Sequence, residues 1–304
     1  MVAPSWLWIL FTITAAGAQT LRNAMQRDLI QALGAAGATY VRFLFGLPFA
    51  LGFLAATSIA GRAPPPPIDP TALAWTGVGA LAQILATGLM LAAMRERSFV
   101  ATIAYTKTEP VQVALFGLVF LGDRLTGPAA LSILVSTAGV MILSWPKGSA
   151  KAPGPGAFAD WRPALLGLGA ASCFALSAVG FRAGILALHS PNFLVAASTI
   201  LVAGLIIQSA LILVHLALFD RGLLRSVLAA WRPSLFAGFM GALASQFWFL
   251  ALAIDTAARV RTLGLVEVIF AQIVTRRLFK QGTTAREAIG MAMIVAGVGA
   301  LLNS

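Results

Sequence analysis

The sequence predicts an all-α integral membrane protein in which ten transmembrane helices form two inverted-topology five-helix repeats. Three observations carry that expectation. Of 304 residues, 59% are hydrophobic and only 10% charged, with a mean hydropathy of +0.90, far outside the soluble average. The apolar residues fall in blocks of roughly 18 to 25, the length that crosses ~30 Å of hydrocarbon at about 1.5 Å per residue. Finally, the second half of the chain aligns on the first at a constant offset of 158 residues.

Taken in order, the ten blocks cover residues 5–21, 36–60, 71–94, 98–121, 127–145, 163–181, 193–219, 233–254, 256–278 and 285–302. The first is read as retained, not as a cleaved signal peptide: despite the small-residue pattern TAAGAQT, no basic residue precedes Arg22. Two breaks, GRAPPPPIDP (61–70) and WPKGSAKAPGPGAFADWRP (145–163), carry Pro and Gly that oppose helix and strand. The second sets the expected organisation: a first five-helix repeat over 1–145, a linker over 146–162 and a second five-helix repeat over 163–304. At the repeat offset Glu109 falls on Glu267 and Thr126 on Thr284. STAGVMIL (136–143) falls on IVAGVGAL (294–301), matching Ala138 with Ala296, Gly139 with Gly297 and Val140 with Val298. An odd number of crossings per repeat inverts the second copy, an architecture through which many carriers achieve alternating access.

The fourth block, EPVQVALFGLVFLGDRLT, and the end of the fifth, TAGVMIL, resemble the drug/metabolite transporter superfamily, specifically its EamA-type ten-helix carriers. That family pattern has a proline early in the fourth helix, an acidic lgErlt-like turn after it and a Gly-Val near the end of the fifth. Here these are Pro110, LGDRLT (121–126) and Gly139-Val140. The second half departs from it, with FKQGTT (279–284) in place of the acidic turn and Val268 in place of the proline. The resemblance implies a secondary active transporter, not an enzyme, carrying small polar or amphiphilic metabolites, with amino acids the leading class. A bacterial inner membrane is the expected location. Export is the expected direction, although a carrier follows its gradients and the sequence encodes neither. The alternative is an integral membrane enzyme or flippase acting on lipids. Such an enzyme needs an acid/base or metal cluster at headgroup level, where the sequence offers acids only singly.

Of the charged residues within the apolar blocks, Arg42, Lys107, Glu109 and Glu267 lie farthest from the block ends. Each, if isolated and ionised at mid-bilayer, costs ~2.5–3.5 kcal/mol on insertion scales, so partners, water or altered protonation are required. The two glutamates each follow the start of their block by eleven residues, near the midplane. Lys107 and Glu109 cannot serve each other, because positions two apart on a helix point about 200° away from one another. Tyr105, Thr108, Glu109 and Gln112 form one polar stripe at helical spacing. Gln19, Arg22, Asn23 and Gln26 form a second, and Gln83 with Thr87 a shorter third. Such seams turn toward a protein interior or a wet cavity, or else bond neighbouring helices together.

Leu263, Gly264, Phe270 and Ala271 surround Glu267 one turn away, and low polarity favours a neutral carboxyl. Glu267, with Glu109, is therefore the proton-coupling candidate. The substrate-binding candidates are Lys107, Arg42, Tyr105, Gln112, Gln19, Gln83 and Trp248, the last from the aromatic run QFWFLAL (246–252). The competing expectation is a fixed ion pair between Lys107 and Glu267. Arg182, Arg259 and Arg261 fit headgroup snorkelling as well as a function. Pro48 and Pro110 are the hinge candidates, since proline kinks a helix.

Five basic residues lie on the side of the termini and fourteen on the other, which by the positive-inside rule puts both termini outside the cytoplasm. EamA-type carriers usually have them inside. The net charge of +11 then sits mostly in cytoplasmic loops facing anionic lipid. The expected partners are a small-molecule substrate and the bilayer, with no nucleic acid. A monomer or homodimer remains open, one GFRAG match (180–184) being too weak to assign a dimer. No P-loop motif occurs, Cys173 is the single cysteine, and His189 and His215 lack metal-ligand spacing, so neither a cofactor nor a metal is expected.

Overall fold

In lipid the backbone must satisfy its own polar groups, so an apolar chain of this kind has helices as its natural solution. The computed structural model is helical accordingly, with no strand among the described residues. It describes Pro4 and residues 6–96, 105–143, 162–279 and 284–303, without the side chains of 23–28, 30, 32, 94–96, 163, 271 and 274–279. The expected linker therefore lies outside the described residues except for Arg162, as do most of FKQGTT and the start of the fourth block.

Helix α1 runs Leu7–Leu44, α2 Leu47–Gly61 and α3 Pro70–Glu96. Helix α4, Glu109–Phe116, continues as a π-helical turn over Gly117–Leu121, and α5 covers Gly127–Leu143. Then follow α6 (Arg162–Ala187), α7 (Phe193–Phe219), α8 (Arg221–Ala229) and α9 (Trp231–Ile254). Helices α10 (Ala257–Leu263), α11 (Val266–Phe279) and α12 (Ala285–Leu302) complete the chain. Six segments among the described residues are long and apolar enough to cross a membrane: Leu33–Gly61, Pro70–Ala93, Ala164–Ala187, Phe193–Phe219, Trp231–Ile254 and Ala285–Leu302. Two shorter apolar helices, Glu109–Leu121 and Gly127–Leu143, accompany them.

Three elements differ from expectation. The connection expected between the first two blocks is helical, because LRNAMQRDLIQAL consists largely of good helix formers. The chain turns only at Gly34 (φ 69°, ψ 171°), a conformation closed to most side chains. The ninth block is not one helix but two, α10 and α11, divided at Gly264–Leu265. Between the seventh and eighth blocks lies the unexpected short helix α8, whose N-terminus is capped by the Asp220 carboxylate accepting the Leu223 N–H at 2.9 Å.

The chain forms two compact units, each drawing on both sequence halves: Met1–Leu81 with Gly180–Thr256, and Ala82–Val179 with Ala257–Ser304. Within the first, α1 lies along α9, α2 packs on α7, and α8 rests on α1 and α7. Leu29, Ala38, Val41, Val227 and Ala237 form a buried cluster there. In the second, α5 packs along α12, and α10 touches α4 and α5.

The α5–α12 contact is reciprocal. A Cβ on Gly139 would lie 2.8 Å from the Gly290 carbonyl oxygen, and one on Gly297 2.9 Å from that of Ser132. At the repeat offset Ser132 corresponds to Gly290 and Gly139 to Gly297, so the same two positions meet twice, crosswise. Thr126 and Thr284 cap the two helices alike, accepting the N–H of Ala129 and of Glu287, each at 3.3 Å. Small residues here let two backbones approach, the usual route to helix association in lipid.

Gly139→Leu is expected to push α5 off α12 and to destabilise by about 1–3 kcal/mol, the usual cost of overpacking. Gly299→Leu, which meets open space on α12, should be near neutral. Thermal melting of the detergent-solubilised protein separates the two.

Candidate functional site

In the second unit the helix is interrupted twice, each time just before a glutamate. Lys107 and Thr108 form a turn ahead of α4, with the Thr108 N–H donating to the Tyr105 carbonyl and the Val111 N–H to that of Thr108, both at 3.2 Å. Gly264 and Leu265 form the other, with the Glu267 N–H donating to the Gly264 carbonyl at 3.0 Å and the Val268 N–H to that of Leu265 at 3.0 Å. These three-residue bonds keep the freed backbone groups satisfied where an α-helix is broken. Glu109 and Glu267 thus stand in the first turns of α4 and α11, where a carboxylate complements the helix dipole. Arg261 stands in the last turn of α10, where a cation does.

The charges pair crosswise between the two broken helices. Lys107 Nζ contacts Glu267 Oε1, and Arg261 Nε lies 2.9 Å from Glu109 Oε1. The four side chains are 16–22% exposed. In the second pair the Nε–H is not aligned on the carboxylate, so this contact is electrostatic, not a well-formed hydrogen bond. Two cations and two carboxylates sum to zero, which removes most of the cost of placing them at membrane depth.

The stripe on α4 is realised and extended. Gln112 Nε2 donates to Thr108 Oγ1 at 3.1 Å, the Thr108 hydroxyl to the Tyr105 carbonyl at 2.7 Å, and Ser172 Oγ of α6 to Gln112 Oε1 at 2.5 Å. Gly167, also on α6, lies directly against Tyr105. The Thr87 hydroxyl bonds the Gln83 carbonyl of its own helix at 2.9 Å. Both hinge candidates occupy the first turn after a break: Pro110 begins α4, and Pro48 begins α2 after the interruption at Phe45–Gly46. Neither kinks a continuous helix, since proline is well tolerated where no N–H bond is lost.

The remaining candidates belong to the first unit. The Trp248 indole N–H donates to Gln19 Oε1 at 3.2 Å, and Trp248 is buried. The Arg42 guanidinium lies 4.3 Å from the centre of the Phe43 ring, and its Cβ lies against Gly241. Gln246 Nε2 donates to Ser198 Oγ at 2.8 Å. Of the second polar stripe, the side chains of Asn23 and Gln26 lie outside the described residues, while Arg22 is buried.

Two arginines are not headgroup snorkellers. Arg261 is held by Glu109, and Arg182 donates to the carbonyls of Leu252, at 2.7 Å, and Asp255, closing the end of α9. Their neighbours in sequence give no sign of these partners, which come from elsewhere in the chain.

Six membrane-length apolar segments among the described residues stand beside two helical stretches broken at paired charges. Residues 6–145 match the EamA-like transporter family. The match falls on the half that carries the Pro110, LGDRLT and Gly139-Val140 pattern, so the recognition made from those residues stands. With its spans, the chain is an integral membrane protein, and its first half is similar to a family of membrane transporters. No curated protein matches the sequence. A solved crystal structure superposes on it with a TM-score of 0.68, covering 97% of this chain and 96% of the other at 15% identity, a likeness of fold alone.

Removing one partner leaves the other charge uncompensated, so Arg261→Gln and Lys107→Gln are each expected to destabilise by about 1–3 kcal/mol, below the full-burial figure because the pairs are partly exposed. Exchanging the charges of one pair, Lys107→Glu with Glu267→Lys, should recover most of the loss in a thermal melt. A double variant no better than the worse single one would contradict the pairing.

Proposed function

We propose that the chain is a secondary active transporter of small polar or amphiphilic metabolites such as amino acids, working as an exporter by alternating access in a bacterial inner membrane. The observation that carries this reading is the pair of crossed ion pairs at two helix breaks. A purely structural span has no need of four charges at interrupted helices. A carrier needs groups that are satisfied when empty yet able to change partner. Lys107 and Arg261 would release a carboxylate of the protein to take one of the substrate. Glu267 and Glu109, thus freed, would meet the substrate ammonium or accept a proton. Tyr105 and Gln112 border this site, and Gln83, Gln19, Arg42 and Trp248 are further candidates for substrate contact.

The ten-helix inverted repeat belongs to the same proposal. It is supported by the crosswise contacts of Gly139 with Gly290 and Gly297 with Ser132, by the matching caps Thr126 and Thr284, and by breaks ahead of Glu109 and Glu267. Two like halves joined in opposite sense are what alternating access commonly uses.

The decisive experiment is uptake into proteoliposomes driven by a pH gradient, over a panel of amino acids, organic anions and organic cations, with wild type and Glu267→Gln side by side. The expected result is uptake of amino acids that follows the gradient in the wild type and loses that dependence in the variant. Unchanged pH dependence in Glu267→Gln would remove the proton role from Glu267. Uptake of another class with amino acids inert would replace the substrate assignment.

A further inference from the structure

We propose that α8 and the start of α9 form an interfacial site for anionic phospholipid headgroups. The argument begins with how the nine residues of RGLLRSVLA divide around the helix. Val227 is fully buried beside Leu29 and Val41 of α1, and Leu223 packs on the same cluster. Arg221 and Arg225, four apart and therefore on one face, are exposed, and so is Arg232, three residues beyond the helix in the first turn of α9. A third strip, Leu228 with its neighbour Trp231, is apolar yet 53% and 49% exposed. Phe219, the last residue of α7, is 77% exposed.

Three environments on one short helix fit three media: protein, hydrocarbon and headgroups. Exposed Leu, Phe and Trp beside Arg are what a membrane interface accommodates and water does not. The Arg232 guanidinium lies 5.3 Å from the Trp231 ring, so cation and aromatic share one depth. The acid at this place, Asp220, is engaged as the cap of α8, and three arginines against one carboxylate leave a positive patch. Arg221 also closes α7 by donating from Nε to the Ala217 carbonyl at 2.8 Å, which fixes the root of its side chain. Guanidinium forks match phosphate oxygens in pairs, so the occupant is the phosphodiester of an anionic glycerophospholipid. All three arginines belong to the basic side of the chain, which the positive-inside rule assigns to the anionic cytoplasmic leaflet. This inference needs only the membrane location and is independent of what the protein transports.

The test uses the full chain in phosphatidylcholine nanodiscs, reading the Trp231 emission as the difference between wild type and Trp231→Phe. Phosphatidylglycerol carrying a nitroxide should quench that emission more strongly than phosphatidylcholine labelled at the same carbon. The triple variant Arg221→Gln, Arg225→Gln, Arg232→Gln should lose the preference, with the relative association of phosphatidylglycerol falling about fivefold per arginine. The Arg→Lys triple variant should keep most of it, showing that the glutamine variant lost charge and not fold. Equal quenching by the two lipids in the wild type would overturn the proposal, as would a preference that survives the glutamine variant. Relief of the quenching by inorganic phosphate would assign the site to a soluble anion and overturn it equally.

Discussion

A charge inside a bilayer must be answered by the protein, and that constraint organises the second unit. Once Glu109 and Glu267 stand at membrane depth, each requires a cation, and neither can find one on its own helix turn. The cations come crosswise, Arg261 to Glu109 and Lys107 to Glu267. Crossing ties the two broken helices to each other, so the pairs set a contact as well as neutralise a cost. The breaks serve the same end. Ending one helix and starting another beside each pair puts Arg261 at a negative helix end and the glutamates at positive ones.

Helical class, membrane character and the location of most spans were legible because hydrocarbon imposes a length and a composition on each crossing. The repeat offset was legible at Thr126 and Gly139 for a different reason. A cap needs a hydroxyl, and a close backbone approach needs a residue without a side chain, so physics holds both identities in place. The structure then gives these positions partners: Thr126 and Thr284 each cap a helix, and Gly139 and Gly297 each touch the opposite one.

What remained illegible involves partners distant in sequence or a balance of weak local terms. Arg261 beside Arg259 resembles any basic helix end, and only the proximity of Glu109, far away in the chain, gives it a role. Arg182 likewise meets carbonyls of α9 that no local pattern announces. The pairing of Lys107 with Glu267 could be framed from sequence, since Lys107 and Glu109 face apart, but not selected over a lone protonatable glutamate. Residues 22–33 fall between the first two apolar blocks, yet helix propensity carries α1 through them to Gly34. Helix α8 was missed because nine residues with two arginines fall below any hydropathy threshold, although Asp220 followed by LL and VL is an amphipathic start.

The two pairs are alike in their carboxylates and unlike in their cations. Glu109 and Glu267 are equivalent at the repeat offset, but Lys107 corresponds to Leu265, and Arg261 to Ile103. Within the proposed transport reading this asymmetry divides the labour. A guanidinium is a planar fork with a rigid head, while an ammonium is a compact charge on a flexible stem that can swing between acceptors. The Lys107–Glu267 arm is therefore suited to open first for substrate, and the Arg261–Glu109 arm to follow it. That is the physical reason for assigning the exchangeable role to Glu267 ahead of Glu109, although sequence spacing treats the two alike.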